Sequence, residues 1–198
     1  MPLGAFKAAL MGTAGVSAGA DVVLLHDTDY SNASTASITS GIDSTYSKYL
    51  FKFYNIGPAT NDVNFTFQVN ATDGADYNDS NISSTYFKAV HTEDDSTTAS
   101  LGYDTGADLA EAASFQFLGA GIGNGADESL AGELHLFNPS STTYAKIFYG
   151  KTNHYGQQDA SYNNFMGGYI NDTTAIDDIQ FKMSSGNFDG TIKMWGVK

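Results

Sequence analysis

IDDIQFKMSSGNFDGTIKMWGVK, from Ile176 to Lys198, carries the pattern that decides the fold. Ile179, Phe181 and Met183 alternate with Gln180 and Lys182, and Ile192 and Met194 alternate with Thr191 and Lys193. A period of two is what a half-buried strand requires, because successive side chains point to opposite faces of a sheet. Between the two runs, SSGNFDG (Ser184 to Gly190) supplies the Gly, Asn and Asp that turn a backbone. The segment therefore reads as a β-hairpin closing an all-β domain, with its last strand inside the sheet.

The same pattern recurs toward the N-terminus. VVLL (Val22 to Leu25) is a short apolar run, and KYLFKFYN (Lys48 to Asn55) sets Tyr49, Phe51 and Phe53 on one face. In VNFTFQVN, Val63, Phe65, Phe67 and Val69 are expected inward, with Asn64, Thr66, Gln68 and Asn70 outward. Gly57-Pro58 marks a loop between these two strands. TYFKAVHT (Thr85 to Thr92), SFQFLG (Ser114 to Gly119), AGELHLFN (Ala131 to Asn138), YAKIFYG (Tyr144 to Gly150) and FMGGYI (Phe165 to Ile170) are further strands. Pro139-Ser140-Ser141 joins AGELHLFN to YAKIFYG as a hairpin. ADLAEAA (Ala107 to Ala113) has the composition of one short helix. About eight to ten closely spaced strands without intervening helices point to a two-sheet antiparallel β-sandwich, with a jelly roll as first choice.

Residues 1–20, MPLGAFKAALMGTAGVSAGA, differ from this domain. They are small, Ala/Gly-rich and nearly uncharged. They superficially resemble a signal peptide, but Gly12 and Gly15 break the apolar run. The expected organisation is an extended N-terminal arm, 1–20, followed by a sandwich domain, 21–198. Leu3, Phe6, Leu10 and Met11 are the arm's candidate contacts with a neighbouring subunit.

Charge narrows the partners. Twenty-two Asp and Glu oppose nine basic residues, giving −13, and every basic residue is Lys. Nucleic-acid binding needs a basic stripe and favours Arg, so no nucleic-acid partner is expected. No run reaches the roughly 18 apolar residues of a membrane helix, so no membrane partner is expected. The chain has no Cys, which removes disulfides, thiolate catalysis and Cys-ligated zinc.

The motifs do not assemble a catalytic site. GVSAG (Gly15 to Gly19) matches a nucleophile elbow in letters only, because a strand must precede that motif and a helix must follow it. GAGIGNG (Gly119 to Gly125) lacks the Lys-Ser/Thr ending of a phosphate loop. TDGADYNDSN (Thr72 to Asn81) and HTEDDSTT (His91 to Thr98) gather carboxylates but do not follow a Ca²⁺ loop spacing, and solvated turns are the simpler reading. His26, His91, His135 and His154 show no ligand spacing, and His135 reads as a surface or inter-subunit side chain. The sequons at Asn32, Asn64, Asn70, Asn78, Asn81 and Asn171 would matter only in a eukaryotic secreted protein. No catalytic, cofactor or metal residue is assigned, and the expectation is a structural or binding protein rather than an enzyme.

Three blocks carry a resemblance. Ile42 to Asn70, Glu128 to Gly150 and Phe165 to Lys198 together resemble small virion proteins of marine tailed bacteriophages, over most of residues 21–198. The resemblance implies a jelly-roll-type β-sandwich located in a virus particle, in capsid-associated or tail-fibre roles. It supplies no catalytic residues. The expected function is a capsid decoration or cement protein on the outer shell, a homotrimer that binds the major capsid protein or another virion protein. The alternative is a tail-fibre, spike or receptor-binding protein recognising host glycan through loops such as Thr72 to Asn81 or NHYGQQDASYNN (Asn153 to Asn164). Trp195 and Val197 lie opposite Ile192 and Met194, so they are left outward as candidate interface anchors unless a loop of the same chain covers them.

Overall fold

Aromatic and β-branched residues at alternate positions suit a pleated, half-buried surface, and the chain forms strands wherever they recur. The computed structural model describes residues 21–198 except 73, 75, 79, 96–98 and 157. Leu3, Phe6, Leu10, Met11 and the GVSAG motif lie outside the described residues. Twelve strands follow in order: β1 Val22–Ala33, β2 Ala36–Ile38, β3 Lys48–Pro58, β4 Val63–Ala71, β5 Ile82–Thr92, β6 Ser100–Tyr103, β7 Gln116–Ile122, β8 Leu130–Phe137, β9 Lys146–Gly156, β10 Ala160–Ile170, β11 Ile176–Met183 and β12 Phe188–Val197.

Every pairing is antiparallel. One run is β1-β12-β3-β8-β9-β10-β5-β6, and the other is β7-β4-β11-β2. The two runs meet at one pair, Ile122 of β7 with Gly156 of β9. The sheet thus curls over on itself and nearly closes. Phe51 and Phe53 of β3 meet Phe181 of β11 at ring-centroid distances of 5.6 and 5.2 Å, and Phe53 meets Phe65 of β4 at 5.3 Å. Phe148 of β9 meets Phe67 at 5.2 Å. These contacts cross the core between the two runs. All six of these rings are essentially fully buried.

The closing segment is not a hairpin. β11 pairs with β4 and β2, whereas β12 pairs with β1 and β3. SSGNFDG carries the chain across the core edge instead. Its crossing is tied at both ends: the Ser184 N–H donates to the Asn64 carbonyl and the Ala59 N–H to the Asn187 carbonyl, each at 2.8 Å. At Gly190, φ is +138° and a Cβ would lie 2.7 Å from Ile56 Cδ1 and 2.8 Å from the Asn55 carbonyl, so glycine is required where the chain enters β12. Separating the two strands lets both apolar faces serve one core from opposite sides. Met194 stands beside Phe51 on one side, and Phe51 meets Phe181 on the other.

Other expectations are corrected locally. Ala107–Ala113 is not helical. Its backbone is held beside the start of β5, where the Leu109 and Glu111 N–H groups donate to Ser84 and Ser83 hydroxyls and Ala112 bridges Ile82. So short a run of helix formers cannot outweigh these partners when helix nucleation is so costly. NHYGQQDASYNN is mostly strand, since β9 runs to Gly156 and β10 begins at Ala160. Thr66 and Gln68, expected outward, are buried. Gln68 Nε2 donates to the Ser80 and Ser114 carbonyls at 3.1 and 3.2 Å, so loops cover that face of β4.

Lys146 is almost wholly buried. Its Nζ donates to the carbonyl of Asp172 at 2.8 Å and to that of Thr174, pinning the β10–β11 loop. Burial holds its pKa below the ordinary lysine value, with Asp172 pulling the other way. Lys146→Met keeps the stem but removes the donor to both carbonyls. It is expected to cost about 2–3 kcal/mol, read as a lower denaturant midpoint.

Candidate interface on the outer sheet face

The register of the longer run sets outward side chains in rows across the strands. One row is Leu24 (β1), Trp195 (β12), Leu50 (β3), His135 (β8) and Tyr149 (β9), each directly opposite the next. Beside it lie Val22 and Val197, then Lys48, with Phe137, Ile147 and Tyr169 further across. Val22, Leu24, Ile147, Tyr149 and Tyr169 are exposed, as is Tyr144 at the neighbouring loop. An apolar stripe of this breadth on a wet sheet face is unusual, because alternation normally puts polar residues outward.

The next row is charged. Asp27, Lys193, Lys52, Glu133 and Lys151 stand side by side on β1, β12, β3, β8 and β9. Lys193 Nζ donates to Asp27 Oδ2 at 2.9 Å, and this bond raises the pKa of Lys193 above the ordinary value. The Lys52 ammonium sits 6.0 Å from the Trp195 ring centroid and that of Lys151 5.1 Å from Phe165. Aromatic faces attract such cations and hold them in place. Between the ladder and the strand ends is a depression of about 380 Å³ lined by Tyr54, Gly132, Lys151 and Asn153, among others.

The sequence-predicted residues find definite places. Trp195 and Val197 both stand on this outer face and are partly covered, Trp195 between Leu24 and Leu50. His135 stands on the outer face, where a surface or inter-subunit side chain is expected, but its neighbours leave little of it open to solvent. It is 8% exposed, stacked on Tyr149 at 4.5 Å, with Nε2 donating to Glu133 Oε1 at 3.2 Å. Its neighbours' larger rings cover it. Leu24, Leu50, Tyr149 and Ile147 are stripe residues that reading the sequence for core faces passed over. Leu50 had a visible signal: it is an apolar residue on the polar side of KYLFKFYN.

Elsewhere, an open groove of about 380 Å³ is lined by His91, Glu93, Asn153, Tyr155 and Ser161, among others. His154 lies inward, 2% exposed, stacked on Tyr162 at 4.8 Å. Asn164 Nδ2 donates to its Nδ1 at 3.1 Å. Within the two acidic runs, Asp73 and Asp79 lie outside the described residues. No group of three or more His, Asp or Glu side chains placed to hold a metal occurs among the described residues.

Fold and face together define an antiparallel all-β protein with an apolar stripe and a charge ladder across one outer face. No family model, curated protein or solved structure matches the chain.

Proposed function

We propose that this chain is a jelly-roll structural subunit of a bacteriophage particle, a decoration or cement protein on the outer shell. The jelly-roll reading is supported by strand order. Leaving aside β5, β6, β9 and β10, the eight remaining strands run 1-8-3-6 in one layer and 2-7-4-5 in the other, counted along the chain. Two interlocked Greek keys give that order. The four other strands widen the first layer. The resemblance of Ile42–Asn70, Glu128–Gly150 and Phe165–Lys198 to phage virion proteins is what supports a virion location in this reading.

The apolar row from Leu24 to Tyr149 carries the functional reading. A face so built is stabilised by burial against another virion subunit, and a shell whose subunits share such contacts is harder to pull apart. Partners in this reading are other copies of the chain and the major capsid protein or another virion protein. Nucleic acid and membrane are not partners, and the role is non-enzymatic.

The groove at His91, Asn153, Tyr155 and Ser161 favours a second reading, a tail-fibre or receptor-binding protein that holds host glycan. Cryo-electron microscopy of virions, with the chain located in the map, separates the two. Hundreds of copies on the shell are expected. A few at the tail or at vertices would favour the second reading, and absence from the particle would refute both.

A further inference from the structure

We propose that the outer face pairs with the same face of a second copy, about a two-fold axis running along β3. This rests on the reading of that face as a subunit contact. The five strands β1, β12, β3, β8 and β9 are consecutive, so β3 is their middle. Rotation about an axis lying in the interface along β3 exchanges β1 with β9 and β12 with β8, and it keeps every row opposite itself.

The ladder then becomes self-complementary. Asp27 faces the partner's Lys151, Lys193 faces the partner's Glu133, and only Lys52 meets its own copy. In the apolar row, Leu24 faces the partner's Tyr149, Trp195 faces the partner's His135, and Leu50 lies against the partner's Leu50. Sheets packed face to face lie about 10 Å apart with strands rotated by about 30°. The tightest contacts therefore fall at β12, β3 and β8.

Charge favours the same occupant. Lys48, Lys52, Lys151 and Lys193, four of the chain's nine basic residues, stand on this face against three carboxylates, Asp27 and Glu133 of the ladder and Asp29, which lies opposite Thr191 beyond it. The face is near neutral on a chain of charge −13. Two copies repel through the rest of their surfaces and can approach here. The five strands span about 19 Å from first to last at the usual strand spacing of about 4.8 Å, wide enough to form the centre of a dimer contact.

Sedimentation velocity on the full chain tests this, with the expected species at twice the 21.0 kDa chain mass. Leu50→Glu, at an outward position, is expected to produce folded monomers, with the concentration dependence of the parent's thermal midpoint lost. Glu133→Lys and Lys193→Glu are each expected to weaken the dimer roughly tenfold or more by setting like charges opposite one another. The double variant restores opposite charges and recovers most of the affinity. Because the chain has no Cys, Leu50→Cys with a short bismaleimide should give a crosslinked dimer, whereas Gln180→Cys on the other layer should not. A monomeric or trimeric parent, or a double variant no tighter than the single ones, overturns the proposal. Such a result with the chain still located on virions leaves the structural role standing; a dimer absent from virions removes that role alone.

Discussion

Phe181→Ala is expected to destabilise this protein by about 3–5 kcal/mol. The ring is fully buried and lies within 5.2–6.5 Å of the rings of Phe51, Phe53, Phe65 and Phe67. Removing it opens a cavity between the two layers and breaks four aromatic contacts at once. The layers are held at their spacing by strand pairing, so they cannot collapse onto the gap. For a domain of this size the thermal midpoint should fall by on the order of 10 °C. Leu101→Ala, at a position 74% exposed, should shift it by no more than about 0.5 kcal/mol. Equal losses for the two variants in urea titration would refute this account of the core.

Acidification should weaken the fold well before the carboxylates titrate. Burial above all, and the Lys88 charge, lower the pKa of His154 from the ordinary 6.5 to about 4, although a bond to the Ala120 backbone acts the other way. Between those values the unfolded chain binds a proton that the folded chain refuses. Stability is therefore greatest above pH 6.5 and falls as pH drops toward 4, by up to about 3 kcal/mol. His26 is lowered as well, mainly by burial, and adds to the same trend. Asp104, held low first by its bond to Lys88, and Asp43, held low first by the Thr45 N–H, lose their contributions only further down, below the ordinary carboxylate value of 3.8. Asp178, raised by burial and Asp177, acts in the opposite sense. Urea midpoints measured from pH 7.5 to 4 for the parent and for His154→Gln test the assignment. The variant should be less stable at neutral pH and show a much shallower slope. An unchanged slope would assign the acid sensitivity to other groups.

Much of the fold was legible because half-buried strands write their burial into alternate residues. KYLFKFYN, VNFTFQVN and the runs on either side of SSGNFDG all point their expected apolar residues inward. The missed strands have no such signature: β2 is three residues long, and β6 is exposed along its length. The helix expected at Ala107–Ala113 failed because composition cannot register the Ser83 and Ser84 hydroxyls that claim its N–H groups. Of the candidate interface, Trp195 and Val197 were legible as outward residues. Leu50 carried a signal, an apolar residue on the polar side of KYLFKFYN, but its place in one row with Leu24 and Tyr149 was not legible, since these come from strands far apart in the chain.

An antiparallel all-β chain with an aromatic core, a strongly acidic balance and no cysteine can be read directly from the residues. These follow from local periodicity and from composition. Which strands pair is set by long-range packing. The segment that reads as a hairpin is divided between two layers, because each of its strands gains a full set of backbone partners and a core contact there that pairing together would forfeit. The same packing places Leu24, Trp195, Leu50, His135 and Tyr149 in one row and Asp27, Lys193, Lys52, Glu133 and Lys151 in another. Register across five strands is a long-range property, set by pairings that no local pattern encodes.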